Sequence, residues 1–178
     1  MKRIVTISGS PSPSSRTTAV VERIKKQLAV KGWQADSIEV RNLPPEDLAY
    51  ARFDSPSVQD TVRLLEQADG VIIATPVYKA SYTGVLKAYL DLLPQDVLSE
   101  KVVWPIAVGG TLAHLLVLDY ALKPVLYALG AQNVLSGVYI QDQWIRVYQG
   151  EILLEESVEK RIETSLVRFT QALSIPAN

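Results

Sequence analysis

Gly70-Val71-Ile72-Ile73-Ala74-Thr75 is an unbroken apolar run closed by Pro76. It is too short for an ordinary helix, and β-branched residues fill its centre, so it reads as a strand. A strand that never alternates with polar residues is covered on both faces, the condition of a strand inside a parallel sheet.

Working outward from it, short apolar runs alternate with longer amphipathic ones. Arg3–Ser8 reads as a first strand and Arg16–Lys31 as a helix ended by Gly32; Gln34–Val40 is a second strand. A Pro-rich irregular passage spans Asn42 to Ser55, and Ser55-Pro56 opens a helix to about Gln67. Beyond the central run, Tyr82–Leu93 is helical up to Pro94, Val102–Val108 a fourth strand, and Thr111–Leu129 a long helix. Asn133–Ile140 is a fifth strand and Glu151–Leu173 a final amphipathic helix. Five strands separated by helices predict an α/β fold, a doubly wound parallel sheet with helices on both faces. With no internal repeat or linker, the chain of 178 residues reads as a single domain over 1–178.

Composition narrows the chemistry. Nearly half the residues (48%) are hydrophobic, enough for one buried core, and 18 basic against 19 acidic side chains leave a net charge of −1. So even a balance argues against nucleic acid or an anionic membrane as partner. The absence of cysteine removes disulfides, thiolate nucleophiles and Cys-based zinc sites, and a single histidine removes a His-rich metal site. No metal site is predicted. No run approaches the roughly 20 apolar residues that span a bilayer, and the short N-terminal apolar run has no cleavage site after it. The expectation is a cytoplasmic protein whose reactions fall to hydroxyls, amides, carboxylates, amines or a borrowed cofactor.

Ligands of an open parallel sheet sit beyond the carboxyl ends of its strands, where strand order reverses. Three loops lie there. The first, Gly9–Thr18, packs four serines, two threonines and Arg16 into ten residues at the start of a helix. Hydroxyls, exposed N–H groups and one guanidinium make a receptor for a phosphate dianion. The loop matches neither GxxxxGK[ST] nor GxGxxG, and the alternative is a Ser/Pro turn carrying only an N-cap. The second loop, Thr75–Gly84, brings Tyr78, against which a ring can lie, although Tyr78 and Tyr82 could also just cover the sheet edge. The third, Val108–His114, begins with Gly109-Gly110, which removes side chains from the path of a planar ligand; taken alone it is also consistent with a turn N-capped by Thr111. Residues 1–35 carry seven bases against Glu22 alone, read either as a solvated helix face or as a positive field useful for phosphates.

At these residues the sequence resembles the flavodoxin-like NAD(P)H-dependent FMN reductases, and within them the FMN reductases of alkanesulfonate utilisation, the reductase halves of two-component monooxygenase systems. The resemblance rests on GSPSPSSRT (9–17), DLAYARFDSP (47–56), QADGVIIATPVYKASYTGVLKAYLDLLP (67–94) and GGTLAHLLVLDYALKPVLYALGAQ (109–132). It covers most of the chain up to about Tyr139 and fades beyond Gln141. It implies strand order 2-1-3-4-5, with FMN and NADPH as cofactors. It implies an FMN phosphate held by Ser10, Ser15, Arg16 and Thr17, with Ser12 standing where many relatives have arginine. It also implies an isoalloxazine lined by Pro76, Val77, Tyr78 and Lys79, with Gly109, Gly110 and Thr111 along its edge. The activity implied is NADPH-dependent reduction of FMN to FMNH₂. The product would pass to a flavin-dependent, alkanesulfonate-type monooxygenase in sulfur assimilation.

Leucines, valines and tyrosines nearly encircle the predicted helix Thr111–Leu129, so one face packs on the sheet and another is expected to meet a second subunit, as dimer or tetramer. Pro124 removes a backbone donor near Tyr120. In the resembled group a π-bulge lies here at a tetramer interface, and Tyr120 is the matching position; the alternative is a core tyrosine beside a proline kink. His114 lies at a helix start, where imidazolium is disfavoured, and is read as lining or structural, with no catalytic residue assigned. The competing functions are a reductase of quinones, azo dyes or metal oxyanions that holds FMN tightly, and a flavodoxin-like electron carrier. The near-neutral charge disfavours the carrier. A receiver domain lacks its aspartates, since Ser8 and Thr75 end strands one and three.

Overall fold

The run at 70–76 forms the middle strand, β3 (Gly70–Pro76), in a computed structural model that describes residues 2–148 and 151–175. It pairs in parallel with β1 (Ile4–Ser8) on one side and β4 (Val102–Gly109) on the other. β2 (Ala35–Glu39) adds outside β1, and two short segments, β5 (Asn133–Val134) and β6 (Val138–Gln141), both pair with β4. The order β2-β1-β3-β4-β5 is that of a flavodoxin-like α/β fold, and strand order reverses between β1 and β3.

Alternation along each inner strand sends side chains to two cores. Val5, Ile7, Val71, Ile73, Val103 and Ala107 face one side, with α3 (Pro56–Glu66) and α4 (Gly84–Leu90). Ile4, Ile72, Ala74, Trp104 and Ile106 face the other, with α1 (Arg16–Val30) and α6 (Glu156–Ser174). Both sides are apolar, so β3 and β4 carry no polar phase and read as continuous runs, while the two hydroxyls of β1, Thr6 and Ser8, are hydrogen-bonded to Ser37 and Thr18. A short helix α2 (Pro45–Ala49) breaks the passage expected to be irregular. The buried Asp47 pins it, accepting from Ser55 Oγ and the Arg52 guanidinium.

Three elements differ from expectation. The fifth strand is split, and the split lies across from Pro105, which has no N–H for the ladder. The final helix begins at Glu156, not Glu151: Ile152 to Leu154 belong instead to β8 (Glu151–Leu154), antiparallel to β7 (Ile145–Tyr148). An apolar run that short gains more from cross-strand pairing than from a helix turn, and Glu155, accepting from Ser157 N–H, caps the helix after it. The helix expected from Thr111 starts late. A 3₁₀ turn (Leu112–His114) comes first, then a π-helical turn (Leu118–Leu122) running into α5 (Lys123–Ala128). Only from Val117 and Leu118 onward does the segment reach the sheet and bury its side chains. Lys123 N–H reaches back five residues to the Leu118 carbonyl, and Pro124, following at once, has no N–H to restore the tighter register. Tyr120 is the middle residue of that π turn and is 79% exposed, not a core tyrosine. No helix among the described residues is long and apolar enough to cross a membrane.

At the amino-terminal edge of the sheet, Asp69 accepts from Arg3 N–H at 2.7 Å and from Lys2 Nζ at 2.9 Å. Partial burial opposes ionisation, but the Arg3 N–H and the Lys2 ammonium outweigh it and hold the carboxyl below its ordinary value. A carboxyl lowered on folding contributes stability at neutral pH, and loses it as pH falls through the aspartate range towards the folded value. Urea unfolding at a series of pH values should therefore show Asp69→Asn less stable than wild type at pH 7, with the gap closing as the pH is lowered.

Candidate active site

The carboxyl ends of β1, β3 and β4 open into one cleft of about 670 Å³, within the usual size for cofactor sites. Its first wall is the serine-rich loop. Gly9 N–H donates to the Ala74 carbonyl at 2.8 Å, which ties that loop to β3. The Thr83 hydroxyl then donates to the Gly9 carbonyl at 2.5 Å while accepting from Leu86 N–H, so one buried side chain caps α4 and anchors the first loop. A Cβ on Gly9 would meet Leu86 at 2.8 Å, so only glycine lets the loop cross α4 at this height. Within the loop, Ser10 Oγ accepts from Ser12 N–H, and Ser15 Oγ accepts from Thr18 N–H as the N-cap of α1. Thr17 is buried, and the Arg16 side chain is exposed at the rim.

The second wall follows Pro76. Val77 N–H donates to the Val108 carbonyl, and Tyr78 and Ser81 exchange two backbone hydrogen bonds around Lys79 and Ala80. Both tip residues have left-handed backbones (φ 50° and 65°), a strained choice for side chains other than glycine. The turn leaves Tyr78 half exposed at the cleft and carries Lys79 away from it. On the third side, the Tyr139 hydroxyl donates to the Thr111 carbonyl at 2.6 Å and so holds the Gly109-Gly110 segment in place. Burial, with Asp142 adding to it, pushes the Tyr139 phenol up, so it stays a donor at ordinary pH.

Of the residues singled out from the sequence, Ser10, Ser15, Arg16, Thr17, Pro76, Val77, Tyr78, Gly109 and Gly110 all border this cleft. Lys79 and Thr111 stand just beyond this lining: Lys79 is at the tip of the Tyr78–Ser81 turn, and Thr111 follows Gly110 with its carbonyl bonded to Tyr139. His114 also lies outside the lining. Asp142, Ile145, Arg146 and Val147 line the cleft without having been anticipated. They belong to the β7–β8 hairpin and the turn before it, where the helical reading of residues 151–173 hid any return of the chain. Asp142 accepts from Arg16 at 3.4 Å, between groups that are both about half exposed, a contact of little energetic weight.

The cleft thus has a hydroxyl- and guanidinium-lined end at the start of α1, and a flat slot between Tyr78 and two glycines. A phosphate-bearing planar ring fits that pair of features, and the Gly110 position is the telling one: a Cβ there would meet no protein atom.

Comparison with known proteins agrees. The family profile described as NADPH-dependent FMN reductase matches residues 2–145. The chain is 47% identical over 173 residues to a protein of Pseudomonas putida strain KT2440 named FMN reductase (NADPH), covering 96% of this chain and 88% of that one. It is also 47% identical over 171 residues to an Escherichia coli K12 protein of the same name, covering 96% and 90%. Among solved structures, an NADH:FMN oxidoreductase in its apo form superposes with a TM-score of 0.87 at 35% identity, over all of this chain and 92% of the other.

The two glycines of the third loop should respond differently to the same change. A Cβ on Gly109 would fall on the Tyr139 hydroxyl. Gly109→Ala should therefore lower stability by about 1–3 kcal/mol through overpacking, read by denaturant unfolding. Gly110→Ala should leave stability unchanged and weaken flavin binding, read by quenching of flavin fluorescence.

Proposed function

Because this chain belongs to the NADPH-dependent FMN reductase family, we propose that its cleft takes FMN with the phosphate at the first loop and the ring between Tyr78 and Gly109-Gly110. The chain is an oxidoreductase that uses FMN and NADPH. When bound, FMN supplies the hydride acceptor and NADPH the donor, so that NADPH, FMN and a solvent proton give NADP⁺ and FMNH₂. The protein's own part is positional. Hydroxyls of the first loop and Arg16 hold the phosphate end; Val77 and the Tyr78 turn present backbone to the ring; Gly110 leaves room for a second ring to approach. Holding two rings face to face supplies the rate by proximity, which needs no acid or base. The observation that carries this reading is the combination, in one cleft at the switch point, of a hydroxyl- and guanidinium-lined end and a slot between Tyr78 and two glycines.

The cleft opens to solvent and the cation of its hydroxyl-rich end, Arg16, is half exposed, which favours flavin that exchanges with solvent over flavin held as a fixture. On that ground FMNH₂ is the product that leaves, destined for a flavin-dependent monooxygenase. NADPH consumption, followed by loss of its absorbance, should rise and saturate with added FMN. A rate independent of added FMN, from a protein that purifies yellow, would instead mean tightly held flavin and a different electron acceptor.

The assembly proposed is a homo-oligomer. Leu112, Leu115, Leu116, Tyr120 and Tyr127 are exposed along the segment leading into and through the π turn. One stretch of chain displaying so much apolar surface suits an isologous contact with a second copy. Sedimentation velocity should find an oligomer for the wild type, and Leu116→Asp with Tyr120→Asp should shift it to a smaller species while leaving the thermal unfolding signal of the fold intact.

A further inference from the structure

The described residues lining the cleft include three charged ones: Arg16, Asp142 and Arg146. Arg16 is the first loop's one cation, and Asp142 faces it at 3.4 Å. These two charges offset each other, so the cleft's net positive charge resides on Arg146. That side chain is exposed, has no carboxylate within ion-pair distance among the described residues, and stands on β7 across from the serine loop. The strand that carries it is well anchored. Ile145 is buried in the core beneath α1 and α6, Trp144 accepts from Glu155 N–H, and the Arg161 guanidinium stacks on the Trp144 ring at 5.8 Å. Arg146 lines the cleft beside its strand neighbours Ile145 and Val147, and is exposed where Ile145 is buried. The profile match that ends at residue 145 stops one residue short of it.

We propose that Arg146 is a phosphate-binding residue of this cleft, closing from the β7–β8 hairpin onto a phosphate seated against the first loop. The proposal rests on the reading of the cleft as a flavin and nicotinamide site. A phosphate dianion is poorly served by Arg16 and Asp142 together, and a second guanidinium restores a positive field and adds charge-assisted hydrogen bonds. Both substrates bring such a group: the 5′-phosphate of FMN, and the phosphates of the nicotinamide nucleotide.

Fluorescence titration of wild type, Arg146→Gln and Arg146→Lys with FMN and with riboflavin, together with KM values for NADPH and NADH, separates these sources. Arg146→Gln should weaken binding of the phosphate it reads about fivefold to tenfold, as expected for a charge-assisted hydrogen bond near solvent, and Arg146→Lys should recover part of the loss. A loss confined to FMN, with riboflavin unchanged, identifies the flavin phosphate. A KM rise for the nicotinamides with both flavin affinities unchanged identifies theirs, and a rise for NADPH alone identifies the 2′-phosphate. The proposal is overturned if Arg146→Gln, with the unfolding midpoint of wild type, changes none of these by more than about twofold. A wild type that neither prefers FMN to riboflavin nor oxidises NADPH in its presence would overturn the reading of the cleft itself, and this proposal with it.

Discussion

The geometry of the cleft hangs on the Thr83 hydroxyl. It donates to Gly9 in the first loop and accepts from Leu86 at the start of α4, while Thr83 N–H donates to Thr75 Oγ1 at the end of β3. A single buried residue thereby joins the loops that leave β1 and β3, the two strands between which the chain reverses its order. Each such bond contributes about 1 kcal/mol net, but leaving its buried partner unpaired costs about 1–3 kcal/mol. Gly9 completes the arrangement by passing over Leu86 where no side chain fits. Spacing between the hydroxyl-rich first loop and the turn after β3 is in this way set by packing in the protein interior.

What is built on that frame is a site for positioning. The residues along the slot are proline, valine, tyrosine and glycines, and the polar groups gather at one end. Transfer of a hydride between stacked rings asks for such a division, because it needs flat surfaces against which rings can lie more than it needs charged groups between them. Strain is concentrated at the tip of the turn that follows β3, at Lys79 and Ala80, and the paired Tyr78–Ser81 hydrogen bonds hold it there. The same economy explains a sequence with one histidine and no cysteine: the reactive atoms come with the ligands.

Much of this was legible from residues alone. GVIIAT announced a doubly covered strand because both faces of β3 are apolar in fact, and the hydroxyl cluster at 9–18 lies at a helix start whose N-cap, Ser15, is a residue of the predicted kind. Other features lie beyond any reading along the chain. Lys79 and Thr111 enter through the family resemblance, and what the structure adds is that Lys79 stands at the tip of the Tyr78–Ser81 turn and that the Thr111 carbonyl is bonded to Tyr139. The β7–β8 hairpin was missed because Ile152-Leu153-Leu154 is too short a run to separate strand from helix by period. With it went Asp142 and Arg146, whose relevance exists only because the hairpin folds back over α1.

By itself, then, the sequence determined the inner strands of the sheet, its doubly wound character and the hydroxyl- and glycine-rich loops at one edge of it. These depend on local composition and periodicity, which neighbours in the chain are enough to impose. Tertiary structure alone decided which side chains of those loops turn inward, where the π turn falls before Pro124, and that a cation from residue 146 stands opposite a loop more than a hundred residues earlier. Contacts of that range are chosen by the packing of whole elements against one another, and no window along the chain contains both partners.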